Sequence, residues 1–149
     1  MSGIRKIKVE KSTFFDIILI VGDNMIHNMR LHEKYFAAVK SGKKKYEVRL
    51  LDDKRKKIKK GDFIEFQNRN DSNEVFLIEV EDLLYFNNFK ELVNSIDIKN
   101  ITGIDISKEE LEDDFNSFYS KEELDKHLIV AIKLKENSVI EEDNFSNVK

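Results

Sequence analysis

Alternating apolar and polar residues recur along the chain and predict short β-strands. In KYEVRLL, Tyr46, Val48 and Leu50 alternate with three charged residues, so they would lie on one face of a strand. The turn formers of NRNDSN, at 68–73, interrupt this pattern once and predict a hairpin. The segments with the alternating period are 45–51, 62–67, 74–80, 82–86 and 128–135.

The first predicted helix precedes these strands. In EKYFAAVKSG, 33–42, Tyr35, Phe36 and Val39 form an apolar stripe at helical spacing. Gly42 follows, and glycine favours the left-handed conformation that ends many helices. We therefore expect a short helix that turns directly into the first predicted strand.

Further helices are predicted after the hairpin. NFKELVNSI has apolar residues at helical spacing. Two S-x-x-E sequences, beginning at Ser107 and Ser120, match the capping box, in which the hydroxyl and the glutamate each accept a main-chain N–H. The helix after Ser107 would carry Leu111, Phe115 and Phe118 on one stripe.

These elements predict an α+β domain with a small, mostly antiparallel sheet that closes toward a β-barrel and has helices inserted. We place the domain at 25–135. Residues 1–24 are a weakly patterned N-terminal extension, which a true start at Met25 or Met29 would explain. Residues 136–149 are predicted to be a frayed acidic tail.

Charge is distributed unevenly along the chain. Ten Lys and Arg residues stand against four acidic residues in SGKKKYEVRLLDDKRKKIKKGD, 41–62, although the whole chain carries a net charge of −3. Acidic residues dominate beyond Ser107. The asymmetry indicates one surface that attracts a polyanion and another that repels it, unless the basic run is only a solvated connector.

The sequence lacks the residues that several kinds of chemistry require. There is no Cys for disulfides or thiol catalysis, and three scattered His residues predict no metal site. Neither a G-x-S-x-G nucleophile motif nor a phosphate-binding glycine loop is present. The longest apolar run, FFDIILIV, is far shorter than the roughly 20 residues that cross a bilayer. We expect a cytoplasmic protein with no cofactor and no membrane partner.

Lys44, Glu47 and Arg49 are the candidate site in the basic segment. On a regular strand Lys44 and Glu47 point to opposite faces, because three residues is an odd step. If the strand begins after Lys44, the three side chains can line one cleft. If it begins earlier, they form a surface ion pair worth at most about 1 kcal/mol.

Gly42-x-Lys44-x-x-Glu47-x-Arg49 resembles the G-x-K-x-x-E-x-R motif of ASCH domains, which belong to the PUA-like superfamily. The flanking HNMRLHEKYFAAVKSGKK and FYSKEELDKHLIVAIKLK are similar to the opening and closing elements of that family, so the resemblance covers 25–135. It implies a PUA-like β-barrel with a cleft beside the first helix, lined by the motif, and RNA binding.

The resemblance also implies enzymatic alternatives, because some bacterial ASCH proteins are similar to amidohydrolases of acetylated cytidine and others are connected with ribonuclease activity. In the amidohydrolases the motif Lys, here Lys44, is catalytic together with a Thr three residues later and a downstream Glu. Glu47 stands in place of that Thr, which departs from the deacetylase pattern. Glu79 and Glu81 are candidates for the downstream Glu by location alone. If the protein is an enzyme, we expect Lys44 and Glu47 to be catalytic.

The expected ligand is RNA or a nucleotide-like molecule. Its phosphates would contact Lys44, Arg49 and the basic run at 54–60, and its bases would lie near His32 and Tyr35. A helix cap is the alternative role for His32. The sequence does not indicate the oligomeric state. The predicted binding residues are Gly42, Lys44, Glu47, Arg49, His32, Tyr35, Lys54 and Arg55.

Overall fold

The computed structural model describes residues 23–141. The strands are β1 (Ile26–Leu31), β2 (Tyr46–Leu50), β3 (Phe63–Asn68), β4 (Asp71–Phe86), β5 (Ile129–Leu134) and β6 (Ile140–Glu141). The helices are α1 (Glu33–Lys40), α2 (Phe89–Ser95), α3 (Ile98–Thr102), α4 (Lys108–Ser117) and α5 (Lys121–Lys126), with a 3-10 turn at Arg55–Lys57. None of the helices in this part of the chain has the length and apolarity needed to cross a membrane.

The strands form one sheet in the order β1-β3-β4-β5-β2. β1 runs parallel to β3, and the other neighbours along this path are antiparallel. The two-residue strand β6 pairs with β4 beside the main path. The sheet curls into a half-barrel with several helices around it, which confirms the predicted α+β, mostly antiparallel fold.

The 16-residue strand β4 causes much of this curling. Its first part pairs with β3 and its second part pairs with β5, so the two halves belong to different walls. The register shifts between Val80 and Asp82, where the chain passes from one partner to the other. An irregularity of this kind bends and twists a strand. The predicted strands at 74–80 and 82–86 are therefore one continuous strand.

The core has two parts, one on each face of β5. Val130 and Ile132 pack with Phe36, Phe66 and other residues inside the half-barrel. On the opposite face, Ile129 and Ala131 join side chains from α2, α3 and α4. β5 is therefore buried on both faces, which explains why it is apolar at successive positions.

Both predicted capping boxes are present. The Ser107 and Ser120 hydroxyls each accept the amide three residues later, and the glutamate at that position accepts the serine amide. Leu111 and Phe115 are buried as predicted, but Phe118 is 59% exposed. Phe118 lies beyond the last residue of α4, so it leaves the apolar stripe.

The two ends of the predicted domain differ in how far the described residues reach beyond them. The predicted extension at 1–24 lies outside the described residues except for its last two positions. The predicted tail begins at Glu136, yet residues 136–141 are part of the fold. Ile140 is buried in β6, and the Ser138 hydroxyl accepts the amide of Glu79. Residues 142–149 lie outside the described range.

Candidate functional site

The turn between α1 and β2 positions the motif. Gly42 has φ +85°, the left-handed conformation predicted for the end of α1. The amides of Lys43 and Lys44 both donate to the carbonyl of Ala38, which folds the chain back on the helix. β2 then begins at Tyr46. Lys44 therefore precedes the strand, which is the arrangement needed for it to meet Glu47.

The Lys44 side chain is buried and its ammonium has a partner for each proton. Nζ lies 2.6 Å from the carbonyls of Tyr46 and Ile101 and 3.1 Å from Glu47 Oε1. The Ile101 carbonyl belongs to the last turn of α3, where a cation also interacts favourably with the helix dipole. The same Nζ lies 5.5 Å from the ring centroid of Tyr35. Three acceptors around one nitrogen fit a charged ammonium.

Glu47 links the two cations of the motif. It is 5% exposed, and its two carboxylate oxygens contact different partners. Oε1 contacts Lys44 Nζ, while Oε2 accepts Nε–H of Arg49 at 2.6 Å. A buried carboxylate held by two cations fixes both of their positions.

Arg49 extends from this pair toward β1. Its Nη2 donates to the carbonyl of Arg30 at 3.0 Å. Among the described residues, Nη1 has no hydrogen-bond partner. The guanidinium therefore has two anchored nitrogens and one that remains available for a ligand.

Burial and charge set the ionisation of the three groups. Burial lowers the pKa of Lys44 below its usual value, although Glu47 opposes the effect. Burial alone would raise the pKa of Glu47, but the charges of Lys44 and then Arg49 outweigh it and hold the pKa below its usual range. Burial tends to lower the pKa of Arg49, and the adjacent Glu47 carboxylate reverses this and raises it. Glu47 is therefore ionised at neutral pH.

The three motif side chains share one cleft of about 560 Å³ between the curled sheet and helices α1 to α4. Six cationic side chains and two carboxylates line it, a net charge of +4, whereas the whole chain carries −3. The cations are Arg30, Lys34, Lys44, Arg49, Arg55 and Arg69, and the carboxylates are Glu47 and Asp114. Aromatic rings from Tyr35, Phe89, Phe115, Phe118 and Tyr119 complete the walls.

His32 and Tyr35, two of the predicted binding residues, also line this cleft. His32 is the N-cap of α1, because its Nδ1 accepts the amide of Lys34 at 3.2 Å. The Tyr35 hydroxyl donates to Asp114 Oδ2 at 3.2 Å. Burial and then Asp114 raise the pKa of Tyr35 far above its usual value. Tyr35 is therefore a neutral phenol, and its hydroxyl proton is used in the hydrogen bond to Asp114.

Arg55 also lines the cleft. Its Nη1 donates to Asp52 Oδ2 at 3.1 Å, which orients the guanidinium. Its Nε is buried without a hydrogen-bond partner among the described residues. Beside it, the Tyr119 hydroxyl accepts the amide of Leu50 at 3.4 Å, so its own proton can be donated elsewhere.

Two predicted binding residues do not line the cleft. Gly42 lies on the other side of the motif turn, at a second cavity of about 440 Å³. Lys54 donates to the carbonyl of Asn28 at 2.9 Å. Its long side chain spans from the charged connector to β1, and this contact directs its ammonium to the strand. Gly42 is therefore needed for its backbone conformation, and Lys54 is engaged with the sheet.

The sequence did not predict several residues that complete the site. The carbonyl of Ile101 is a main-chain group and has no signature in the sequence. A Cβ on Gly103 would lie 2.7 Å from the Lys44 amide, so only glycine lets α3 approach the motif turn. Arg69 lies in the β3–β4 turn, whereas Asp114 and Tyr119 lie in and just after α4, and only the tertiary fold brings the three to the motif.

Residues 29–138 match the family model of the ASCH domain, and this range contains the motif and the whole cleft lining. The chain belongs to the ASCH domain family. ASCH domains are broadly associated with RNA binding. No curated protein matched this ASCH domain in a separate comparison.

Solved structures with this ASCH fold include the crystal structure of hypothetical protein PH0355. It is 34% identical, covers 74% of this chain and 98% of its own, and superposes with a TM-score of 0.64. The solution NMR structure of protein PF0455 from Pyrococcus furiosus is 32% identical, with coverages of 74% and 96% and a TM-score of 0.60. The crystal structure of ASCH from Zymomonas mobilis is 17% identical, with coverages of 79% and 72% and a TM-score of 0.54, and shows likeness of fold alone.

Proposed function

We propose that this ASCH domain binds single-stranded RNA, or a nucleotide derived from it, in the cleft lined by the G-x-K-x-x-E-x-R motif. The observation that supports the proposal is the net charge of +4 around the cleft, in a chain whose total charge is −3. Local positive potential of this kind attracts phosphates even when the whole protein is acidic. The family's association with RNA agrees with this ligand class.

In this proposal Arg49 and Arg55 contact the phosphates. Each guanidinium is held by a carboxylate, Glu47 or Asp52, and thus needs little ordering when a ligand arrives. Arg49 offers Nη1 to a phosphate oxygen, and the Tyr119 hydroxyl can donate beside it. Planar guanidinium groups suit phosphate better than flexible ammonium groups do.

In this proposal the bases contact the wall of the cleft formed by α1 and its N-cap. Tyr35 and His32 present rings to the cleft, and unstacked RNA bases bind to such rings. Lys44 Nζ lies 5.5 Å from the centroid of the Tyr35 ring, and every proton of Lys44 is used within the protein. The role of Lys44 and Glu47 in this proposal is to shape the cleft and position Arg49.

The test is fluorescence anisotropy with a labelled single-stranded RNA, comparing two substitutions of exposed cations. Arg30→Gln removes a side chain that lines the cleft, and we expect its Kd to rise about fivefold, roughly 1 kcal/mol. Lys56→Gln removes an exposed side chain that does not line the cleft, and we expect its Kd to match that of the wild type. Equal losses in the two variants would mean that RNA binds by general attraction, outside the cleft.

The alternative is a hydrolase, either an acetylated-cytidine amidohydrolase or a ribonuclease. In that reading Lys44 is the nucleophile or base and Glu47 positions water or transfers a proton. The Lys44 geometry disfavours it, because a base needs a free lone pair and three acceptors surround the nitrogen. The two downstream candidates also point elsewhere, with Glu79 near Lys135 and Glu81 near Lys133, and neither lines the cleft.

The hydrolase alternative has a direct assay. Wild-type protein at high concentration is incubated with acetylated cytidine, and separately with single-stranded RNA, and products are separated by chromatography. We expect both substrates to be recovered unchanged. Product formation that is lost in Lys44→Met would establish catalysis by the motif.

A further inference from the structure

Phe118 is a large aromatic side chain left in solvent at the edge of the cleft. It is 59% exposed and directly follows α4, whose Phe115 is buried in the core. Exposing most of a phenyl ring forgoes the stabilisation that its burial would give. The ring is nevertheless part of the cleft lining. An exposed ring at a binding cleft is a surface on which a flat ligand can stack.

Arg69 lies against this ring. It belongs to the turn between β3 and β4, where its amide donates to the carbonyl of Leu31 at 2.7 Å and fixes the turn to β1. Its guanidinium carbon is 5.3 Å from the centroid of the Phe118 ring, within cation–π distance. Among residues 23–141, no carboxylate or carbonyl accepts a hydrogen bond from this guanidinium.

The pair combines two features that suit a nucleobase in a strand. A ring stacks on any base because every base has a π face, and a guanidinium stacks similarly while attracting the neighbouring phosphate. An apolar protein partner would have to cover the unpaired charge of Arg69, which is costly. The positive cleft beside the pair favours an anionic strand over such a partner.

We propose that Arg69 and Phe118 form a stacking platform for one base of a single-stranded RNA at the mouth of the cleft. This inference rests on the proposed function and adds to it a second base-binding position, formed by the β3–β4 turn and the end of α4. The first position is the α1 wall with Tyr35. Because the platform stacks on the π face that every base has, it contributes affinity with little preference among bases.

The platform is tested by affinity on two strands of about eight nucleotides, one of uridines and one abasic with the same phosphates. Phe118→Leu keeps an apolar side chain but removes the ring, and we expect the Kd for the uridine strand to rise roughly tenfold. We expect no change for the abasic strand, and we expect Phe118→Tyr to behave like the wild type. Tyr85→Leu is the matched control, since Tyr85 is a 52% exposed ring that does not line the cleft.

A cross-linking experiment identifies the contact directly. One 5-iodouridine is placed at each position of the strand in turn. The complex with the wild-type protein is irradiated, and the cross-linked protein residue is mapped by mass spectrometry. We expect a cross-link at Phe118. The platform would be overturned, with the cleft proposal left standing, if no position of the iodouridine along the strand gave a cross-link at Phe118, or if Phe118→Leu lost affinity equally for both strands. Failure of the wild type to bind either strand would overturn both.

Discussion

Glu47 is the residue on which the geometry of the cleft depends. Its carboxylate joins Lys44 to Arg49 and is almost completely removed from solvent. A buried ion pair often adds little net stability, because desolvation offsets the attraction. Removing one partner is a different matter, since it leaves the other charge buried and uncompensated. Glu47 therefore matters most because its loss would leave the buried charges of Lys44 and Arg49 without a counter-charge.

At this scale we predict the effect of Glu47→Gln. The change keeps the size of the side chain but leaves Lys44 and Arg49 without their shared anion. We expect the free energy of unfolding to fall by about 3–5 kcal/mol, measured by urea denaturation. Glu81→Gln is the control, because the Glu81–Lys133 pair is exposed and its loss should leave the urea midpoint unchanged.

The pH profile separates a lost charge from a packing defect. The pKa of Glu47 is held below its usual value in the folded protein, so below about pH 4 the unfolded chain binds more protons there. The stabilisation from Glu47 is thus complete above that pH and is lost as pH falls. We expect the free energy of unfolding of Glu47→Gln to lack this part of the acid dependence. Parallel acid profiles of the two proteins would contradict the assignment.

At the scale of elements, the motif turn is held by contact with α3. Gly103 ends that helix with φ +69°, and an added Cβ would meet the Lys44 amide at 2.7 Å and Ala38 Cβ at 2.9 Å. Gly42 has a similar φ of +85°, but an added Cβ there would meet nothing within 4 Å. The two glycines therefore share a backbone requirement and differ in steric contact.

This difference gives a matched pair of substitutions. Gly42→Ala should cost about 1–2 kcal/mol of unfolding free energy, from left-handed strain alone. Gly103→Ala should cost a further 1–3 kcal/mol, because the backbone of the motif turn must move. Thermal or urea unfolding measures both. Equal costs would show that α3 does not press on the turn.

Local sequence patterns were sufficient to predict the elements whose residues recur at a regular spacing or match a capping motif. The alternation in KYEVRLL and the two capping boxes were predicted correctly, whereas the start of β2 relative to Lys44 was left open. Helix α3 was not predicted, because five residues are too few to show a helical period. Phe118 was assigned to the buried stripe, because periodicity does not reveal that α4 ends one residue earlier. Contacts such as Lys44 with the Ile101 carbonyl depend on tertiary packing, which no local pattern encodes.

At the scale of the whole molecule, the charge distribution separates two basic regions that are adjacent in sequence. The motif and Arg55 contribute to the cleft, while Lys56, Lys57 and Lys59 are exposed and do not line it. The positive segment at 41–62 is thus divided between the cleft and a solvated connector. Only the residues that line the cleft should contact phosphates directly.

The salt dependence of RNA binding measures this division. Each phosphate neutralised on a single strand contributes about −0.7 to the slope of log K against log salt concentration. Replacing Lys56, Lys57 and Lys59 together by Gln should leave the slope of the wild type unchanged. Arg55→Gln should make it shallower by about 0.7. A shallower slope in the connector variant would assign phosphate contacts to the connector as well.

The bonds from Arg49 and Lys54 to the carbonyls of Arg30 and Asn28 have a consequence for solubility. β1 is the outermost strand beside β3, and these carbonyls are two residues apart along it. An unpaired strand edge is a template on which another chain can add a strand, and cationic side chains are a common protection against this. Arg49 and Lys54 therefore cover two of the main-chain acceptors at this edge, and replacing either should make edge-to-edge association of the protein easier. The guanidinium that we propose for phosphate binding thus also covers part of the β1 edge.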